Sequence, residues 1–132
     1  MINLEFELAH EYESTADGIL VPVRIVQSGK SVELTARLDT GAAHCLFHRS
    51  YSDLLDIAWD AGLPQTYRTI VGNFRAYGHE LTLHTWDLQC SAMVYFHESG
   101  SPNSNYLGRA GWLDRVRLGL IHYDQRILVA RY

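Results

Sequence analysis

The sequence predicts an all-β domain spanning residues 1–132, with one or two short helices. Three observations carry this. Apolar and polar residues alternate along most of the chain, the period of a half-buried strand. Glycine, serine, asparagine and proline interrupt the alternation where turns would fall. Only one stretch spaces its apolar residues as a helix does.

Taken in order, Leu4, Phe6 and Leu8 alternate with Asn3, Glu5 and Glu7 and read as a first strand. The polar, acidic segment from His10 to Gly18 reads as a loop. Leu20 to Val26 and Val32 to Leu38 form a hairpin turned by Ser28-Gly29-Lys30-Ser31. A short apolar run, Cys45-Leu46-Phe47, precedes the helical stretch. There Ser50 and Asp53 fit a capping box, and Leu54, Ile57, Ala58 and Ala61 follow at helical spacing. Gly62 and Pro64 would end that helix. Tyr67 to Leu83 reads as a long hairpin with its tip in the glycine-punctuated stretch Val71 to Gly78. Strands at Leu81 to Trp86 and Gln89 to Phe96 meet near Asp87. Glu98 to Asn105, rich in Ser, Asn, Gly and Pro, is an exposed loop. Gly111 to Arg117 suits a short helix, and Leu118 to Ile121 with Ile127 to Val129 closes the chain as a hairpin around Tyr123-Asp124-Gln125. The two halves share a weak pattern, a hairpin and then an extended segment ending in a glycine, Gly41 in one and Gly108 in the other.

The 132 residues are 47% hydrophobic, enough for a core in one domain. The net charge of −4, with the eleven Lys and Arg scattered, argues against nucleic acid, which needs a basic face. The N-terminus has neither the charge nor the apolar run of a signal peptide, and no stretch is long enough to span a membrane. Two cysteines, Cys45 and Cys90, are too few for a disulfide scaffold, so reduced thiols in a cytoplasmic protein are expected.

The residues that could carry chemistry are Asp39-Thr40-Gly41-Ala42, at the end of a predicted buried strand. Such an Asp-Thr/Ser-Gly-Ala/Ser tetrad arises by chance in roughly 1% of chains this long. Farther on come the glycine-bearing hairpin, Tyr106-Leu107-Gly108-Arg109, and Gly111-Trp112-Leu113-Asp114-Arg115. In this order, from about residue 20 to the C-terminus, the features resemble the retropepsins, single-lobe aspartic peptidases, and in particular bacterial gag-polyprotein-type members.

The resemblance implies a small closed barrel of the retropepsin type and an endopeptidase acting on an extended peptide or protein. Peptide hydrolysis by this route needs one carboxylate to activate water and one carboxylic acid to polarise the carbonyl. Two carboxylates held about 3 Å apart share one proton. One tetrad per chain then implies a homodimer with Asp39 from each copy. In this reading Asp39, Thr40 and Gly41 are catalytic, Thr40 bracing the loop across the two-fold axis and Gly41 admitting the substrate backbone. Ala42, Val71, Gly72, Phe74, Tyr77 and Gly78 contact substrate, the hairpin acting as a flap. Leu107, Gly108 and Arg109 are structural. One position departs from the retroviral pattern: where those members carry an acidic partner for the arginine, this chain has Ala43, so Arg109 must pair elsewhere and the dimer is expected to be weak.

Other readings stand beside these. Asp39 could cap its own turn, and Phe74 and Tyr77 could simply pack. A retropepsin-fold module that dimerises or binds a peptide without cutting it is the alternative function. The seven histidines include His44 and His48 flanking Cys45 with even spacing, yet no HExxH or CxxC occurs, so surface or hydrogen-bonded histidines are expected, with no metal or other cofactor. Trp112 and Leu113 are expected in the core.

Overall fold

A computed structural model describes all residues, Met1–Tyr132. Its strands are β1 (Leu8–Glu11), β2 (Ser14–Thr15), β3 (Gly18–Gln27), β4 (Lys30–Leu38), β5 (Cys45–His48), β6 (Leu63–Thr69), β7 (Gly72–Thr85), β8 (Leu88–His97), β9 (Tyr106–Leu107), β10 (Val116–Ile121) and β11 (Arg126–Arg131). The one α-helix, α1 (Arg49–Leu54), follows β5, and single 3-10 turns lie at Trp59–Ala61, Leu113–Arg115 and His122–Asp124. The chain is all-β, as its alternation predicts. No helix is long and apolar enough to cross a membrane.

The hairpins form where turn residues allow. Gln27 pairs with Lys30 across Ser28 (φ 51°) and Gly29 (φ 77°), a two-residue turn with both central residues left-handed, which matches strand twist. Strands β2-β3-β4-β9-β5-β8-β7-β6 pair in that order. A further pairing of β3 with β7, from Arg24 opposite His84 to Val26 opposite Thr82, closes six of them into a ring. The ring is irregular, because β9 contributes only two residues to it. A separate three-stranded sheet, β1-β11-β10, packs beside it.

Inward residues fill the ring: Val21, Val23 and Ile25 from β3, Leu81 and Leu83 from β7, Val94 and Phe96 from β8, with Phe47, Leu107 and Trp112. Trp112 is buried as expected, and its indole N–H donates to the buried Thr85 hydroxyl at 2.9 Å. Because side chains alternate across a strand, Tyr95 on β8 faces away from this core. It joins Leu46 and Ala76 in a second cluster against which Tyr67, Phe74 and Tyr106 pack.

Several boundaries differ from expectation, each for a physical reason. The first strand is Leu8–Glu11, pairing with β11, whereas Leu4 remains exposed: alternation without a partner edge makes no strand. Part of the expected loop from His10 is therefore strand, and His10 stacks on Trp86 with ring centroids 4.4 Å apart. The helix stops at Leu54 rather than Ala61, because Ser52 and Leu55, not Leu54, meet the core. Its N-cap is His48, whose ring accepts from the Ser50 amide, and not the expected Ser50 box. Pro64 opens no break but sits in β6, an edge strand where a missing N–H is tolerated. The hairpin tip is Ile70-Val71, since Thr69 already pairs with Gly72. The expected tip, Val71 to Gly78, is therefore mostly strand β7. The expected helix from Gly111 to Arg117 shrinks to the 3-10 turn at Leu113–Arg115.

Candidate active site

The loop after β4 is built by its own backbone. The Asp39 amide donates to the Leu107 carbonyl (3.0 Å), and the Asp39 carbonyl accepts from the Ala42 amide (3.2 Å). The Gly41 amide donates to Asp39 Oδ1 at 2.9 Å, leaving no bond within the chain to hold Oδ2. A Cβ on Gly41 would stand 3.1 Å from that same Oδ1. Glycine thus lets the half-buried carboxylate settle over the loop's N–H. Thr40 and Ala43 are exposed, while Ala42 is half-buried.

A second loop braces the first. The Arg109 and Ala110 amides donate to the Ala42 and Ala43 carbonyls, each at 2.9 Å. Gly108 makes this approach possible: a Cβ there would lie 2.1 Å from the His44 carbonyl oxygen and 2.8 Å from that of Ala42. Leu107 is fully buried beneath. Arg109 is exposed and donates to the Thr40 carbonyl at 3.3 Å. With alanine at 43, a backbone oxygen takes the place of a carboxylate.

Sequence reasoning missed the group that ties these loops to the β6–β7 hairpin. His44 Nδ1 lies 2.7 Å from the Tyr67 hydroxyl, and the His44 ring is 4.6 Å from that of Tyr95. Partial burial, and secondarily the Arg109 charge, lowers the His44 pKa. A neutral ring fits a bond in which the Tyr67 hydroxyl donates. Burial pushes the Tyr67 phenol up, so it keeps its proton. Tyr67 stacks on Phe74, which it opposes in register, with centroids 5.2 Å apart. The period-two pattern could have paired these aromatics had the hairpin been started at Leu63.

The other expected contacts separate. Val71 is fully exposed at the tip, and Gly72 follows with φ 134°. Phe74 faces the second cluster, but Tyr77, three residues on, points to the opposite side and packs edge-on against Trp59 at 5.2 Å. Gly78 is no tip hinge, for it is buried and a Cβ there would meet the Tyr95 ring at 2.8 Å. Burial raises the Cys45 thiol to about 12, which suits packing and not nucleophilic attack. His44, His48, His79 and His97 each have a hydrogen-bond partner. No three His, Cys, Asp or Glu side chains converge as metal ligands would.

No protein-family model and no curated protein matches the sequence. Among solved structures, the chain is similar to the crystal structure of a retropepsin-like aspartic protease from Rickettsia conorii. The TM-score is 0.62 at 15% sequence identity, over 94% of this chain and 99% of that one. At that identity the likeness concerns the fold, which is retropepsin-like.

Proposed function

We propose that this chain is one half of an aspartic endopeptidase, active as a homodimer in which two Asp39 carboxylates share one proton. The observation that carries the reading is the Asp39 loop. One carboxylate oxygen is held by the Gly41 amide at 2.9 Å and the other is free, on a loop braced by the Gly108 turn. The chain supplies one such carboxylate, so the acid and the base must come from two copies. The ionised Asp39 takes a proton from water, whose oxygen bonds to the scissile carbonyl carbon as the protonated Asp39 donates to the carbonyl oxygen. In the second step the tetrahedral diol returns a proton to the dyad, the amide nitrogen gains one, and the C–N bond breaks. The dyad again holds one proton.

In this reading Thr40 braces the loop at the two-fold axis and Arg109 fixes it from below. The β6–β7 hairpin, tipped by Ile70 and Val71, closes over an extended peptide bound as an added strand. Phe74, Ala42, Val71 and Gly72 remain candidate substrate contacts. Leu107 and Gly108 hold the floor. Both cysteines are free, which suits a reducing compartment such as the cytoplasm.

The test is cleavage of a peptide library by the wild type and by Asp39→Asn, with melting temperatures measured alongside. Cleavage lost at an unchanged melting temperature is the expected result. Full activity in the variant would end the aspartic mechanism. Peptide binding without cleavage in the wild type would mark a silent binding module instead.

A further inference from the structure

A cavity of about 370 Å³ lies between the hairpin end and the loop at 99–104, with His97, Leu46, Tyr106 and Phe74 in its lining. We infer that it is the subsite for a tyrosine-like substrate side chain, with His97 Nδ1 accepting a hydrogen bond from the phenol. The inference rests on the peptidase reading above and names part of its substrate.

Position comes first. Tyr106 pairs with Arg37 on β4, and Leu107 with Leu38, the residue before Asp39. The Arg37 guanidinium lies 5.5 Å over the Tyr106 ring. Arg37 and Asp39 are two residues apart and share a side of the extended chain. Tyr106, in the cavity lining, is thus on the strand that pairs with the end of β4, next to the loop that carries Asp39. The cavity's volume lies within the range of binding cavities, about 300–1,000 Å³, and leaves ample room for one side chain.

The chemistry of the lining is the second point. His97 is 2% exposed. Its Nε2 lies 2.7 Å from the Ser104 carbonyl, which can only accept, so Nε2 carries the proton. In the neutral ring Nδ1 is then a bare acceptor, and no protein donor reaches it. Burial disfavours the charged form and outweighs the backbone of Ser104 and Ser99, which favours it; the neighbouring His48 acts with burial. An unmet buried acceptor is costly, and a ligand donor relieves that cost. Phe74, Tyr106 and Leu46 offer apolar walls to the body of the same side chain. A phenol combines an apolar ring with a neutral donor at its tip. Serine and threonine have the donor without the body, and lysine would bring in a charge for which the lining, polar at Thr69, Asn73, Ser99 and Ser104, holds no carboxylate. The Phe74 ring is 5.7 Å from His97 and sits on the hairpin, and Nδ1 is itself fully buried, so the Phe74 ring must move aside for a bound phenol.

The test uses Asp39→Asn, which should bind peptides without cutting them. Decapeptides from a positional library are compared in pairs differing only by Tyr and Phe, with binding read by fluorescence anisotropy. We expect Tyr to be favoured about 10-fold at one position, the worth of one neutral hydrogen bond at a buried acceptor. The preference should vanish when His97→Phe is added. ¹⁵N NMR of the unsubstituted His97 ring gives a second readout independent of that variant's folding: the Tyr peptide should move the Nδ1 resonance and the Phe peptide should not. Equal binding of the pair at every position, or a Tyr preference that survives His97→Phe with Nδ1 unmoved, would overturn the assignment. Wild-type cleavage without Tyr/Phe discrimination would overturn the subsite and leave the peptidase reading intact. Tyr-selective binding without wild-type cleavage would do the reverse.

Discussion

Gly108→Ala is the sharpest structural test of the candidate site. The new Cβ would sit 2.1 Å from the His44 carbonyl oxygen, 2.6 Å from its carbon and 2.8 Å from the Ala42 oxygen. All three are backbone atoms, so no side chain can rotate away, and the two loops must part by an ångström or so. Such overpacking costs about 1–3 kcal/mol. The parting also strains the Arg109–Ala42 and Ala110–Ala43 bonds, both 2.9 Å, each worth about 1 kcal/mol. A loss of about 3–5 kcal/mol follows, or roughly 10–20 °C in melting temperature. Gly29→Ala is the control: φ is 77° but nothing lies within 4 Å, so only backbone strain of about 1–2 kcal/mol applies. Urea unfolding followed by tryptophan fluorescence measures both. If Gly108→Ala costs no more than Gly29→Ala, the loops are not locked through Gly108. If peptide cleavage is established, it should fall about 100-fold in the surviving folded fraction, since a displacement of this size misplaces the carboxylate.

Trp112→Phe removes the 2.9 Å bond to the buried Thr85 hydroxyl and leaves space in the core; a loss of about 2–4 kcal/mol is expected in urea unfolding, and a loss below 1 kcal/mol would mean Thr85 finds another partner. His97 is held neutral by burial, with its pKa below the usual 6.5. The unfolded chain then takes up a proton that the folded chain refuses, so stability is full above pH 6.5 and falls as the pH drops below it. Urea midpoints at pH 8 and 5.5 should show this fall, and His97→Phe should reduce it; an unchanged difference would place the effect elsewhere. With Ala43 offering no carboxylate to Arg109, sedimentation over a concentration series should show monomer giving way to dimer only as concentration rises. A monomer that cuts peptides at every concentration would contradict the shared-dyad mechanism.

The parts of the fold legible in the sequence were those dictated locally. Ser28-Gly29 supplies two left-handed residues where the first hairpin needs them, and Val21, Val23 and Ile25 alternate inward as their period predicts. Asp39 and Gly108 stood out as motifs, and they are brought together by the pairing of β4 with β9. What was not legible depended on long-range partners. Leu4 and Phe6 alternate as well as any strand, but β11 offers its edge to Leu8–Glu11 instead. Gly72 and Gly78 look alike in sequence, yet one follows the tip at φ 134° and the other is buried because the Tyr95 ring crosses over it. His44, Tyr67 and His97 belong to no motif. Their meaning arises only in the fold, where β6 brings Tyr67 to His44 of the loop at 39–44 and β8 brings His97 to the loop at 98–105.

In the proposed peptidase, that arrangement would divide the site into a fixed floor and a loosely held roof. The floor is locked: Asp39 bonds to Leu107, Arg109 and Ala110 bond to the first loop, and Leu107 is fully buried beneath them. The roof hangs from β6, an edge strand paired only with β7, and ends in Ile70 and Val71, both almost fully exposed. Local opening is cheapest where buried contacts are fewest, so motion is directed to the hairpin end and away from the carboxylate. His44 and Tyr67 form the one side-chain hydrogen bond between the loop at 39–44 and the hairpin. A single bond worth about 1 kcal/mol would bias the roof of the proposed peptidase toward the floor without holding it against an incoming peptide. The exposed tip in turn leaves two apolar side chains without cover in one copy. In the proposed dimer, a bound peptide and the facing hairpin would supply that cover, so that closing the roof and assembling the pair of carboxylates draw on the same buried surface.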